Sequence, residues 1–199
     1  MVAATSTRER LVNEAMRLFS AKGYEATSVS QIEAAAGLAA GSGALYHHFK
    51  SKEALLDAGI DRQPDRRRAM RDIRALFAGL GDLQAELTVL GRYLLGVIDD
   101  EIELLQIAAR TPAGRSNRLD TAYAALIDGL NVELGDWIAA WAPAMTEQDR
   151  DVVTTLAINA LLGSRFATSL FHQSAPRIPD DRYLGEWTAL VANRIQAPS

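Results

Sequence analysis

The stretch GSGALYHHFKSKEALL, residues 41–56, concentrates aromatic, imidazole and ammonium groups in an otherwise acidic, alanine-rich chain of 199 residues. Ser42 is a candidate N-cap for a short helix that ends near Phe49. On such a helix Leu45 and Phe49 are four residues apart and share one face, which predicts that both side chains pack inward.

The opposite face of this helix is predicted to point outward. It carries Ser42 with Tyr46, and Gly43 with His47, again at four-residue spacing. Gly43 and Ala44 add no bulk, so the backbone can approach a groove closely. The Tyr46 hydroxyl suits a phosphate, and the His47 imidazole can exchange hydrogen bonds with a base edge or a phosphate. These residues therefore have the chemistry of a nucleic-acid contact.

Two capped helices are predicted before this segment. Ser6 opens a capping box ahead of a helix over residues 7–22. Ser28 opens another ahead of a short helix whose Ile32 and Ala35 face inward. A helix is also predicted after the segment.

In that following helix Ser51 is the N-cap, and Leu55 and Leu56 face inward. Lys52 lies in its first turn, where free backbone amides also favour an anion. Two short helices joined by a tight turn, with a helix before and another after, form the helix-turn-helix arrangement. The sequence therefore predicts a helix-turn-helix module at the N-terminal end.

At these residues the chain resembles the tetracycline-repressor (TetR) family of bacterial transcription regulators. The matching text is LFSAKGYEATSVSQIEAAAGL followed by GALYHHFKSKEALL, and it covers roughly residues 8–56. The resemblance implies that the family's phosphate and base contacts fall here on Thr27, Ser28, Tyr46, His47 and Lys52, and on the small residues Gly43 and Ala44.

The turn ahead of the 42–49 helix departs from the family pattern. The residues LAAGSGA, 38–44, fill a gap that is usually two residues shorter. Either the turn is longer, or the helix gains part of a turn at its N-terminus. The outermost base-reading residue is then Ser42 or Ala40, and we favour Ser42.

The distribution of charge supports contact with phosphate at one end of the chain. The formal net charge of −4 argues by itself against nucleic acid. Residues 1–52, however, carry six basic and four acidic side chains, a charge of +2, which leaves −6 for the remainder. A weakly cationic N-terminal end suits a module that meets DNA through that end.

Several functional classes are disfavoured. The chain has no cysteine, which rules out disulfides, thiolate nucleophiles and cysteine zinc sites. His47 and His48 point about 100° apart on a helix and have no acidic residue at ligand spacing, so we expect no metal there. No catalytic grouping, signal peptide or membrane span of roughly 20 residues is apparent. We expect a cytoplasmic protein that is not an enzyme, needs no cofactor and does not contact a membrane.

The rest of the chain is predicted to be helical, which makes about nine helices in an all-α fold. Residues 1–52 are expected to form the DNA-binding domain, and residues 53–199 a larger ligand-binding and dimerisation domain. Further helices are predicted over residues 64–78, 82–97, 99–109, 117–141 and 146–172, with a final helix that starts after Pro179.

The body is a plausible receptor for a small molecule. A pocket among helices is typically apolar, with a volume of roughly 300 to 1,000 Å³. The resemblance implies such a cavity, whose ligand changes the spacing of two DNA-binding domains. The large side chains available to line it are Met70, Phe77, Tyr93, Trp137, Trp141 and Phe166. The alternative for each of them is ordinary packing in a bundle core.

The last two helices carry a seam of small residues and an apolar face. Two such helices from each of two chains would form a four-helix interface, which is the dimer that the resemblance implies. The alternative is that they close a monomeric core. The residues expected at the interface are Leu156, Ala160, Gly163, Ala167, Trp187, Leu190 and Val191.

These observations together predict a homodimeric, ligand-responsive repressor. Each N-terminal domain is expected to bind one half-site of a palindromic double-stranded DNA operator, and an unknown small-molecule effector to release it. The alternative is an all-helical small-molecule carrier or enzyme without DNA binding. Salt-dependent binding to palindromic DNA distinguishes the two.

Overall fold

The computed structural model describes residues 6–61, 81–170 and 178–197, with side chains up to residue 166 in the second range. These residues form eight α-helices and one short 3₁₀ helix and contain no strand, which confirms the all-α prediction. In chain order they are α1 (Thr7–Lys22), α2 (Val29–Ala35), the 3₁₀ helix (Ala44–His47), α3 (Lys52–Ile60), α4 (Leu83–Asp100), α5 (Ile102–Arg110), α6 (Asn117–Trp141), α7 (Glu147–Leu170) and α8 (Asp180–Gln196).

The chain divides into two compact units. The first comprises residues 1–64 and 101–124, and the second comprises residues 65–100 and 125–199. Residues 101–124 therefore pack with the N-terminal helices, a grouping that no sequence pattern indicated. The functional division after residue 52 stays a prediction.

Helix α1 is the centre of the first unit. Its predicted capping box is present, because the Ser6 hydroxyl accepts a hydrogen bond from the Glu9 amide while the Glu9 carboxylate accepts one from the Ser6 amide. Gly23, at a φ of 91°, ends the helix. Leu11 and Phe19 on its inner face are fully buried. Helices α2, α3 and α5 pack around this face.

Helix α2 is short and differs from the prediction in one packing detail. The predicted capping box of Ser28 is present, and Ile32 is fully buried. Ala36 is buried beside it, whereas Ala35 is exposed. The expected inward role of Ala35 was therefore wrong, because the residue four positions after Ile32 shares its face at the end of the helix.

In the second unit helices α4 and α8 pack very closely. A Cβ atom at Gly91 would lie 2.9 Å from Cζ3 of Trp187 and 3.0 Å from Cδ2 of Leu184, so only glycine fits there without displacement. The indole nitrogen of Trp187 donates to the Ala157 carbonyl oxygen at 3.0 Å. The Tyr183 hydroxyl donates to the Ala160 carbonyl oxygen at 2.6 Å. These hydrogen bonds join α7 to α8.

A buried arginine joins three helices of the second unit. The Arg165 side chain is 8% exposed and donates to both carboxylate oxygens of Asp99 and of Asp180, at 2.6 to 3.0 Å. The hydrogen bonds to Asp99 and then to Asp180 raise the pKa of Arg165 above its usual value. Since both carboxylates are bidentate partners, the guanidinium fixes the end of α4 against α7 and the start of α8.

The remaining helix predictions were mostly right in position. The helix over 117–141 is confirmed as α6, and that over 146–172 is seen as Glu147–Leu170. Helix α4 extends to Asp100, three residues further than expected. Glu101, with a φ of −101° and a ψ of 10°, separates α4 from α5. The predicted helix over 64–78 lies outside the described residues.

Candidate nucleic-acid interface

Residues 42–49 present one anchored side and one exposed side. Leu45 is fully buried and Phe49 is 6% exposed, whereas Tyr46 is 59% exposed and His47 is also exposed. The inward and outward faces predicted from the sequence are therefore confirmed. The apolar pair holds the segment in place while the polar pair remains accessible to a partner.

The segment is a single 3₁₀ turn and not the predicted α-helix that Ser42 would cap. The Tyr46 amide donates to the Gly43 carbonyl oxygen at 3.0 Å, and the His48 amide donates to that of Leu45 at 2.9 Å. Gly43 precedes the turn at a left-handed φ of 73°. The Ser42 hydroxyl is 3.3 Å from the Ala44 amide, from which it accepts a hydrogen bond.

The additional residues before the segment form a longer turn. Of the two alternatives for residues 38–44, the structure has the extended turn, since the 3₁₀ helix begins only at Ala44. Gly37 and Gly41 both adopt a φ of 73°, a conformation in which a side chain is strained. Ala40 and Ser42 are both exposed on this turn.

A buried carboxylate, which was not predicted from the sequence, supports the turn. Glu33 on α2 is fully buried. Its Oε2 accepts a hydrogen bond from the Gly41 amide at 2.8 Å, and its Oε1 accepts one from the Leu45 amide at 3.0 Å. Charge-assisted bonds of this kind are stronger than neutral ones. The only signal in the sequence was an acidic residue directly after Ile32 in an alanine-rich helix.

Two of the predicted contact residues are engaged within the protein. Thr27 is 1% exposed, and its hydroxyl lies 2.9 Å from the Gly23 carbonyl oxygen and 3.3 Å from that of Leu18. The expected contact through the Thr27 side chain is therefore corrected to a structural role, because burial and internal hydrogen bonds occupy its only polar group.

Lys52 has a similar internal role. Its ammonium donates to the carbonyl oxygens of Tyr24 at 2.8 Å and of Thr27 at 3.1 Å, and it lies 4.2 Å from the centre of the Tyr24 ring. Burial is the main cause that raises the pKa of Tyr24. Because two of its three donors are used, Lys52 chiefly ties the turn between α1 and α2 to the start of α3.

The exposed surface that remains is compact and partly cationic. Ser28, Ser42, Tyr46 and His47 are exposed, and Gly43 and Ala44 are partly exposed. The Arg8 guanidinium lies 4.8 Å from the centre of the Phe49 ring, so the arginine adds a positive charge beside the segment. No sequence pattern indicates this contact, because Arg8 and Phe49 are far apart along the chain.

Three arginines attach residues 101–124 to the N-terminal helices. Arg110 donates to the Ala21 carbonyl oxygen, Arg118 pairs with Asp57 and Asp61, and Arg115 pairs with Glu25 at 2.5 Å. The hydrogen bond from Arg115 holds the pKa of Glu25 below its usual value. All of these side chains are at least partly exposed, so solvent weakens each pair.

The residues predicted to line a ligand pocket are found in different environments. Trp137 is buried, and the Trp141 indole nitrogen donates to the buried Glu86 carboxylate at 2.9 Å. Tyr93 and Phe166 are partly exposed. Met70 and Phe77 lie outside the described residues. A pocket formed by these residues stays a prediction.

The residues predicted at a dimer interface fall into two groups. Leu156 is 66% exposed and Leu190 is 71% exposed, and Gly163 is also exposed. Trp187 and Val191, in contrast, are buried in the core of the second unit, which corrects their expected role. The reason is that α8 turns this face toward α4 and α7. Ala160 is partly exposed, and the side chain of Ala167 lies outside the described part.

The described residues contain no group of three or more His, Asp or Glu side chains placed to hold a metal ion. Nor does any helix among them have the length and apolar character needed to cross a membrane.

Comparison with known proteins identifies the class to which this geometry belongs. Residues 11–58 match the family model of the bacterial regulatory proteins of the tetR family, a helix-turn-helix class. In this N-terminal segment the chain is therefore similar to the tetR family.

The curated relatives are similar over only part of the chain. The transposon Tn10 TetC protein of Escherichia coli is 47% identical over 58 residues, 29% of this chain and 28% of that protein. The HTH-type transcriptional repressor KstR2 of Rhodococcus jostii is 48% identical over 50 residues, 25% of this chain and 24% of that protein. The matches to the first three curated relatives span 16%, 28% and 53% of their lengths.

The likeness of fold extends over nearly the whole chain. A TetR transcriptional regulator from Chloroflexus aurantiacus has a TM-score of 0.65 at 22% identity, covering 95% of this chain and 93% of that chain. At this identity the comparison shows that the arrangement of helices is shared.

Proposed function

We propose that this chain is a DNA-binding transcriptional repressor that binds a palindromic operator as a homodimer and is released by a small-molecule effector. The observation that carries the proposal is the 42–49 segment, in which buried Leu45 and Phe49 hold Tyr46 and His47 at the surface. The similarity of residues 11–58 to the tetR family and of 50 residues to a named repressor supports it.

The proposed DNA surface is formed by exposed groups around that segment. Tyr46 contacts a phosphate, His47 a base edge or a phosphate, and Ser42 is the outermost base-reading residue. Ser28 and the partly exposed Gly43 and Ala44 complete the surface, and Arg8 adds a phosphate contact. Lys52 contributes chiefly by tying the turn between α1 and α2 to the start of α3.

The direct test is binding of the full chain to DNA from beside its own gene. A footprint should show a palindromic site, and the logarithm of the affinity should fall linearly with the logarithm of the salt concentration. An all-helical carrier or enzyme would show no such binding. Absence of a protected site, or an affinity independent of salt, would refute the proposal.

The Tyr46 contact is tested with a matched tyrosine. Tyr46→Ala removes a hydroxyl whose hydrogen bond to phosphate is worth about 1 kcal/mol, so we expect roughly fivefold weaker binding. Tyr123→Ala is the control, since Tyr123 is 40% exposed in the same compact unit but lies outside the 42–49 segment. Equal affinities of the two variants would contradict the assignment. His47→Ala should also change the base preference in a binding-site selection.

The proposed dimer forms through α7 and α8. Leu156 and Leu190 are large apolar side chains at the surface, and the small residues Ala160 and Gly163 allow a partner helix to approach. A dimer of this kind would offer one DNA-binding domain to each half-site of a palindrome, and such half-sites typically lie about 34 to 36 Å apart.

Charged substitutions test this interface. Leu156→Glu with Leu190→Glu should yield a folded monomer in analytical ultracentrifugation, because both side chains are already mostly exposed in one chain. Trp187→Ala should instead lower the melting temperature, since that side chain fills the core. A double variant that remains dimeric would place the interface elsewhere.

A further inference from the structure

Helices α6 and α7 leave a groove of about 490 Å³ on the second unit. This volume lies within the range of small-molecule sites, roughly 300 to 1,000 Å³. Of the residues predicted to line a ligand pocket, the four that the structure describes are not among its lining residues. The groove is lined by Asp128, Asn131, Val132, Gly135, Asp136, Ala139, Arg150, Asp151, Thr154 and Thr155.

The lining of the groove is acidic. Asp128 and Asp136 on α6 and Asp151 on α7 are exposed carboxylates, and Arg150 is the single basic side chain among the lining residues. The formal charge of the lining is therefore −2. A groove walled on both sides by carboxylates favours a positively charged occupant.

The groove also has apolar surface and an unfilled space at its base. Val132 is 62% exposed along the groove, and Ala139 lies one to two turns further on the same helix. Gly135 leaves room between them, because a Cβ atom there would lie 3.8 Å from the Thr154 hydroxyl, an ordinary contact distance. An occupant with an apolar body as well as a charge therefore fits better than a small inorganic ion.

One lining residue of the groove, Asn131, has a hydrogen-bond acceptor that is not used. The amide nitrogen of Asn131 donates to the Ile127 carbonyl oxygen at 2.9 Å. Its amide oxygen is buried and has no hydrogen-bond partner among the described residues. Buried acceptors are normally paired, and a shift of the Asn131 side chain would bring this one to a ligand N–H in the groove.

We propose that the α6/α7 groove is a binding site for an organic cation, a protonated amine attached to an apolar body. The carboxylates of Asp128, Asp136 and Asp151 along the groove attract the ammonium, and the apolar body lies over Val132, Gly135 and Ala139. A bare metal ion is a poorer occupant, because the described residues contain no group of three carboxylates or imidazoles placed to hold one.

The site is separate from the proposed dimer surface on α7. Its lining residues on α7 lie at positions 150, 151, 154 and 155, and those of the proposed dimer lie at 156, 160 and 163. At 3.6 residues per turn these two sets fall on opposite sides of the helix. Dimerisation through Leu156 would therefore leave the groove open, and binding can be measured without DNA.

The test is isothermal titration calorimetry of the full chain with three probes that share one shape: phenethylammonium, the neutral phenethyl alcohol and the anionic phenylacetate. We expect one saturable site for the ammonium, with a dissociation constant on the order of 1 mM for a ligand of this size. The alcohol should bind roughly threefold to tenfold more weakly, because exposed carboxylates each contribute modestly. Phenylacetate should not bind.

Variants then locate the site. Gly135→Leu fills the groove and should abolish binding, whereas Gly129→Leu, on the same helix but outside the lining and facing open space, should not. Asp128→Asn with Asp136→Asn should remove the preference for the ammonium over the alcohol. Asp100→Asn, an exposed carboxylate outside the groove, should leave that preference intact. Melting curves establish that each variant is folded.

Three results would overturn the proposal. The first is that phenethylammonium shows no saturable binding, and the second is that the alcohol binds equally well. The third is that the variant substituted at both Asp128 and Asp136 still prefers the ammonium over the alcohol to the same degree. The last result decides the question even if Gly135→Leu does not fold. Because the measurement uses protein without DNA, failure of operator binding would not affect it.

Discussion

Glu33 is expected to support the proposed DNA surface from beneath, although its own side chain is buried and bonds only within the chain. Glu33→Ala leaves two backbone amides without an acceptor, that of Leu45 in a buried position and that of Gly41 in a partly exposed one. A buried unpaired amide costs about 1 to 3 kcal/mol, and a partly exposed one about 1 kcal/mol or less.

The expected destabilisation of this variant is therefore roughly 2 to 4 kcal/mol. Removal of a buried carboxylate also relieves its desolvation, which keeps the value below the gross strength of two charge-assisted bonds. Glu33→Gln keeps one acceptor oxygen but turns a donor toward the other amide, so we expect about half of the loss. For a chain of this length each kcal/mol lowers the melting temperature by about 2 to 4 °C.

Two measurements check this expectation. Thermal unfolding should show a lower midpoint for Glu33→Ala, and the Leu45 amide should exchange its hydrogen much faster with solvent. Operator affinity should fall as well, since Tyr46 and His47 lose their fixed positions. Glu53→Ala is the control, because Glu53 is an exposed residue of the neighbouring helix α3. Native protection of the Leu45 amide in Glu33→Ala would refute the reasoning.

Two other pairs of variants test the packing within each unit. Lys52→Ala should lower the stability of the first unit by roughly 1 to 3 kcal/mol, because the carbonyl oxygens of the α1–α2 turn lose a charged donor. Lys50 is exposed, so Lys50→Ala should change the stability by less than about 0.5 kcal/mol. Gly91→Ala should lower the free energy of unfolding in urea by about 1 to 3 kcal/mol, because the new methyl group meets Trp187. Gly96→Ala on the same helix faces open space and should raise it by up to about 1 kcal/mol. A similar loss for both members of either pair would contradict these contacts.

Short-range patterns in the sequence were reliable guides to the helices. The bounds of α1 and α6 and both N-terminal capping boxes follow from interactions between residues three or four positions apart, so the order of the amino acids is enough to predict them. The same holds for buried Leu45 and Phe49 beside exposed Tyr46. The amphipathic spacing shows which side chains share a face. The burial of two of them shows which face is inward.

Such short-range patterns did not predict the partners of polar side chains. Lys52 bonds to residues 25 and 28 positions away, and Glu33 bonds to an amide 12 positions away. Nothing in the identity of a lysine or a glutamate says whether its charge meets a phosphate or a backbone group of its own chain. The contact residues expected from the resemblance were therefore right in exposure for Tyr46 and His47 and wrong for the Thr27 side chain.

The sequence by itself determined that this chain is helical, where most of its helices begin and end, and which side of residues 42–49 faces outward. Only the tertiary structure decided that this segment is one 3₁₀ turn after an extended loop, that Glu33 holds it, and that Trp187 fills the chain's own core instead of an interface. The physical reason is distance along the chain. Capping and periodicity act within one or two helical turns, whereas buried hydrogen bonds and close helix packing depend on residues that only folding brings together.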